Sequence, residues 1–113
     1  MRTIPRHEWT SYFEQLSATL TGTRVEVEAT SLDLGDQIVA EWLPLLGITY
    51  DAKDDLLDVA LGGEDHLTHL IRHPVRIDVT EEAHEVRGLA VSTPDGVQVL
   101  RFKDPLRLAA PQS

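Results

Sequence analysis

The chain has 113 residues, 42% of them apolar, and a formal net charge of −9. It contains no cysteine, which excludes disulfides, zinc ribbons, iron–sulfur clusters and thiol nucleophiles together. A chain of this length fits one domain and can bury a core without staples, so residues 1–113 are read as a single domain.

The charge is uneven. Residues 1–71 carry thirteen acidic and four basic side chains, whereas residues 72–113 carry six of each. An acidic first half repels phosphate backbones, so nucleic acid is not an expected partner. The start, Met1 to Glu8, lacks the apolar core of a secretory signal. The longest uncharged apolar stretch, Trp42 to Tyr50, is about a third to half of a membrane span. These features predict a cytoplasmic protein with no membrane partner.

Residues 5–20 predict an amphipathic helix, because Trp9, Tyr12, Phe13, Leu16 and Leu20 recur at helical spacing. Pro5 suits the first turn, Glu8 favours the positive end of the helix dipole, and Gly22 is placed as a stop. The three aromatics on this stripe are expected to anchor the helix on a sheet. From Arg24 the period changes to two: Val25, Val27 and Ala29 point inward, with charges between them.

Asp33 to Asp36 reads as a turn, Gln37 to Leu43 as a strand, and Pro44 as an interruption marking an edge or a bulge. Leu46 to Tyr50 is a third strand, Asp51 to Asp55 a turn, and Leu56 to Leu61 a fourth strand ended by Gly62 and Gly63. Val75 to Val79 is a further strand. Val86 to Ser92 and Val97 to Phe102 flank Thr93-Pro94-Asp95-Gly96, a strong hairpin signal. The tail from Asp104 is expected to fray at its end. The fold class predicted is α+β: one N-terminal helix on a bent antiparallel sheet, or small barrel, of six to eight strands.

Residues 64–73 alternate poorly as a strand and better as a short helix over 65–73. Leu67, Leu70 and Ile71 would form the apolar stripe, Asp65 the cap, and Pro74 the stop. In that helix His66, His69 and His73 share one face, and with Asp65 they make a candidate site for Zn²⁺ or Ni²⁺. In a strand the same histidines would not share a face and the site fails. Clustered histidines also suit a surface that responds to pH.

Other chemistry finds no foothold. Asp51, Asp54, Asp55 and Asp58 lack the glycine and terminal glutamate of a calcium loop, and Lys53 intrudes. No G-x-S-x-G elbow, H-E-x-x-H helix or phosphate-binding glycine loop occurs. Nineteen acidic residues select no particular carboxylate pair for glycoside hydrolysis. No cofactor is expected, and an enzyme is less favoured than a binding module.

Trp42-Leu43-Pro44-Leu45-Leu46-Gly47-Ile48-Thr49-Tyr50-Asp51, Lys53-Asp54-Asp55, Val59-Ala60-Leu61 and His69-Leu70-Ile71-Arg72-His73-Pro74 together resemble a family of small bacterial proteins of unknown function. Ile4-Pro5-Arg6, Glu8-Trp9, Arg101-Phe102 and Asp104-Pro105-Leu106 are similar to that family as well. The resemblance implies a bacterial source and one intact domain, and it supplies no activity or site residue. Two functions stand beside each other. One is a non-enzymatic binding or interaction module, engaging a homodimer or protein partner through an edge strand near Pro44. The other is a small-ligand or metal-binding barrel that uses His66, His69 and His73.

Overall fold

The computed structural model of the chain describes residues 1–19, 23–31, 33–64 and 66–107. Leu20, Gly22 and Asp65, each assigned a role above, lie outside the described residues. The elements are β1 (Arg2–Thr3), a 3₁₀ turn (Arg6–Glu8), α1 (Trp9–Ala18), β2 (Arg24–Ser31), β3 (Gly35–Asp51), β4 (Leu56–Leu61), β5 (Leu67–Arg72), β6 (Arg76–Glu82), β7 (Glu85–Thr93) and β8 (Gly96–Arg107). All neighbouring strands are antiparallel, in the order β1-β6-β7-β8-β2-β3-β4-β5. Among the described residues, one short helix beside eight strands makes the α+β description fit, with the helix the minor part. No helix among the described residues is long and apolar enough to cross a membrane.

The sheet is open, because β1 and β5 have one strand neighbour each. It is nonetheless sharply curled. His69 on β5 bonds Gln98 on β8, four strand positions away in the sheet order. A flat sheet would hold those strands about 19 Å apart. The chain also passes from β5 to β6, near the other end of the sheet, through residues 73–75 alone. Four residue steps span at most about 14 Å.

The curl encloses one core. Val25 and Val27 of β2, Leu57, Val59 and Leu61 of β4, Ile77 and Val79 of β6, and Leu100 of β8 are fully buried on alternating positions. The α1 stripe Trp9, Tyr12, Phe13 and Leu16 closes it, as the helical spacing predicts. Trp9 Nε1 donates to the Ile4 carbonyl at 2.9 Å, which ties the helix start to the β1 end.

Three expectations change. The two strands foreseen on either side of Pro44 are one strand, β3. Its first part, to Pro44, pairs with β2, and its second part, from Leu45, pairs with β4. Trp42 at φ 52 and register shifts on both sides of Pro44 bend the strand at this handover. Pro44 sits at this handover, where its carbonyl accepts from Gly62 at 2.8 Å and the ladder is already irregular.

The short helix foreseen at 65–73 is instead strand β5, paired residue for residue with β4 from Leu56↔Arg72 to Leu61↔Leu67. The local helical pattern loses because β4 needs a partner along six residues, and strand geometry puts Ile71 opposite Leu57 in the core. At the C-terminus, β8 continues past the expected end at Phe102, with Val86↔Leu106 and Glu85↔Arg107 paired.

Beyond Pro44 the β2 side of β3 loses its strand partner, and α1 takes that place. Ser17 Oγ donates to the Ile48 carbonyl at 2.8 Å and accepts from the Ile48 amide at 3.0 Å. One hydroxyl thus serves both backbone groups that a neighbouring strand would have bonded.

Candidate functional site

Five segments meet beside the start of the helical turn. Arg6 Nη1 donates to the Tyr50 hydroxyl at 3.2 Å and to Asp55 Oδ1 at 3.2 Å. Its Nη2 donates to the Pro74 carbonyl at 2.9 Å. The guanidinium lies 4.3 Å from the Trp9 ring centroid, and Trp9 meets Tyr50 edge-on at 5.0 Å. Tyr50 donates to Asp55 at 2.7 Å, and His73 Nδ1 approaches the other carboxylate oxygen at 3.4 Å.

Asp55 and His73 both have positive φ, 50° and 54°, and the His73 amide bonds the Asp55 carbonyl at 2.9 Å. The two turn residues are held against each other through backbone and side chain together. The Tyr50 hydroxyl, with His73 and Arg6, holds the Asp55 carboxyl below the usual carboxylate range. Burial, and then the bond to Asp55, pushes the Tyr50 hydroxyl up. Asp55 therefore stays ionised beside Arg6, and Tyr50 stays protonated, near neutrality.

Arg6, Tyr50 and Asp55 form one wall of an open cleft of about 620 Å³, with His7, Thr10 and Ala52 on the other sides. The His7 side chain is 82% exposed and lies 3.8 Å from Glu8. Chemically, this cleft offers an aromatic edge, a hydroxyl, an imidazole and a compensated ion pair.

The metal candidates come out apart. His66 precedes β5 and is exposed, His69 points inward to Gln98, and His73 follows the strand and pairs with Asp55. Extended chain sets His66 and His73 about 23 Å apart, where a helix would set them about 10 Å apart. Zn²⁺ needs its ligands within about 2.1 Å. Among the described residues no group of three or more His, Asp or Glu is placed to hold a metal ion, and Asp65 lies outside them. Asp51, Asp54 and Asp55 do form the expected turn, in which Asp51 Oδ1 accepts the Lys53 and Asp54 amides.

A second feature is the edge of β3. Over its first part β3 bonds β2 on one side, and among the described residues no strand lies on the other. Gly35 to Val39 are exposed, and so is Glu41. Ile38 lies opposite Glu28 on the outer face and is 52% exposed. Sequence reasoning placed an edge near Pro44 and missed the cleft. Arg6, Tyr50, Asp55 and His73 carry no local pattern, and only the curl of the sheet brings them together.

A family model described as "Family of unknown function (DUF5335)" matches residues 1–111. An uncharacterized protein of Aquifex aeolicus (strain VF5) is 37% identical over 108 residues, covering 95% of this chain and 96% of its own. No solved structure matches. The chain belongs to the DUF5335 family, whose function is unknown.

Proposed function

We propose that this member of the DUF5335 family is a non-enzymatic protein-interaction module that works by strand addition. The observation that carries the reading is the first part of β3, Gly35 to Glu41, which among the described residues is paired on its β2 side alone and is mostly exposed, with Ile38 on its outer face. A strand edge of this length offers a row of amides and carbonyls to an incoming strand, and side chains on alternate positions set the choice of partner.

The test places a photo-crosslinking residue at Val39, on the edge, and separately at Val75, which is 59% exposed and off that edge. Irradiation in the native cell is expected to give discrete adducts from position 39 and none from position 75. Equal adducts at both positions, or none at position 39, would refute edge binding.

A second reading rests on the cleft beside Arg6, which suits a small polar ligand in contact with His7 and Thr10. A fragment screen by NMR would support it if shifts concentrate on His7, Thr10 and Ala52. Shifts scattered over the surface would count against it.

A further inference from the structure

Among the described residues, and besides the two-residue β1, two strand edges of similar length lie open, and they differ in charge. Between Arg24 and Lys53 there is no Lys, Arg or His, and six carboxylates are present. Glu26 and Glu28 share the single charge of Arg101, at 3.1 and 2.8 Å. Asp36 and Glu41, at the β3 edge, have no cationic partner among the described residues. Between Asp65 and Asp78 the pattern inverts: no carboxylate occurs, and Arg72, Arg76 and three histidines are present. This stretch contains β5, whose one strand neighbour among the described residues is β4. Arg76 is engaged by Asp78, but Arg72 has no ion-pair partner among the described residues.

The apolar residues agree with the charges. On the outer face of β5, Leu70 is 38% exposed. On the outer face of β3, Ile38 is 52% exposed. One antiparallel register sets Leu70 opposite Ile38 and, in the same step, Arg72 opposite Asp36. Residues two apart share a face, so both pairs would lie on the outer face together. Asp36 has an oxygen to spare, because Thr30 bonds only its Oδ1, at 2.7 Å.

We propose that copies of this chain associate edge to edge, the β5 edge of one copy (Leu67–Arg72) adding antiparallel to the β3 edge of the next (Gly35–Glu41). The inference rests on the strand-addition reading above and names the partner as a second copy. Pairing like edges is disfavoured: two β3 edges bring carboxylates together, and two β5 edges bring cations together. The contact is therefore between unlike surfaces. It closes if a two-fold axis lets both pairs form in one dimer, and otherwise propagates from copy to copy. Six residues of strand pairing make a small interface, so association belongs in the range of tens to hundreds of micromolar.

Sedimentation velocity on the full chain, from about 10 µM to 1 mM, is the test. The wild type is expected to shift from monomer to dimer or larger species, less so at high salt, which screens exposed pairs. Asp36→Arg alone and Arg72→Asp alone should each weaken association about tenfold, by replacing an attraction with a repulsion. The double variant D36R/R72D should recover it. Both sites are exposed, and a far-ultraviolet circular dichroism spectrum matching wild type shows that each variant folds. A strict monomer at 1 mM overturns the proposal, as does association that neither single variant weakens or that the double variant fails to restore. A strict monomer that still gives adducts at position 39 in cells rejects self-association and leaves strand addition to another protein standing.

Discussion

Ser17 offers the sharpest test of how this fold closes its sheet. Its hydroxyl donates to Ile48 and accepts from Ile48, at the point where β3 has left β2 behind. Ser17→Ala removes both bonds and leaves the amide and carbonyl of a residue that is 1% exposed without partners. A typical hydrogen bond contributes about 1 kcal/mol net, and a buried group left unpaired costs about 1–3 kcal/mol. Ser17 itself is half-buried, so water reaches part of the gap. The expected loss is about 2 kcal/mol, the lower end of that range for two groups. In urea this lowers the midpoint by roughly 1–2 M with an unchanged slope. In a thermal melt it lowers Tm by about 8 °C. Ser17→Thr keeps the hydroxyl and should recover most of the loss, while Glu14→Ala, exposed on the same helix, should stay within about 0.5 kcal/mol of wild type. Hydrogen exchange at the Ile48 amide should accelerate in the alanine variant alone. A Ser17→Ala variant within about 0.5 kcal/mol of wild type, or a threonine variant as weak as alanine, would refute the account of α1 as a stand-in strand.

Three further outcomes are expected. Asp55 is held below its ordinary range by Tyr50, His73 and Arg6, and Asp78 by Thr3 and Arg76. Burial alone would raise Glu81, but the bonds from Arg2 and Tyr12 outweigh it, and its carboxyl is also lowered. Depressed carboxyls stabilise the fold above their unfolded pKa and lose that contribution as pH falls through the folded one. Urea midpoints should therefore drop on acidification below about pH 4, and less steeply in Asp55→Asn; equal slopes would contradict this. Gly96→Ala should destabilise by more than about 1 kcal/mol, because φ is 154° and a Cβ there would lie 2.0 Å from the Thr30 carbonyl oxygen; an unchanged thermal melt would show that the hairpin yields. Replacing both His69 and Gln98 by valine should be neutral or stabilising, since an inward polar pair is exchanged for apolar contact, whereas His69→Val alone should weaken the fold. Equal melts for the single and double variants would speak against that pairing.

What the sequence disclosed was whatever repeats locally. The α1 stripe recurs at helical spacing because the helix buries one face, and β2 alternates because it buries one side. Thr93 to Gly96 reads as a turn because its residue types match the backbone it needs. Residues 65–73 misled for the same reason. Leu67, Leu70 and Ile71 suit a helix locally, and only the need of β4 for a partner decides otherwise. With that helix goes the shared histidine face. Pro44 was rightly read as a disturbance, but one strand can change partners at a proline without stopping. The cleft was invisible because Arg6 and Tyr50 are 44 residues apart, and Asp55 and His73 are 18 apart.

The strand order also sets when this protein can finish folding. β2 pairs with β3 beside it in sequence, but its other side waits for β8, through pairs such as Val25↔Phe102. β1, made first, waits for β6, through Arg2↔Val79. During synthesis the β2–β3 hairpin therefore exists for a time with β2 open on one side, and the first strand has nowhere to dock. The sheet is complete only once β8 has been made, and pairings so distant in sequence fold slowly, in about milliseconds to seconds. The acidic residues along β2 and β3 give two such hairpins like charge, which opposes their pairing with each other.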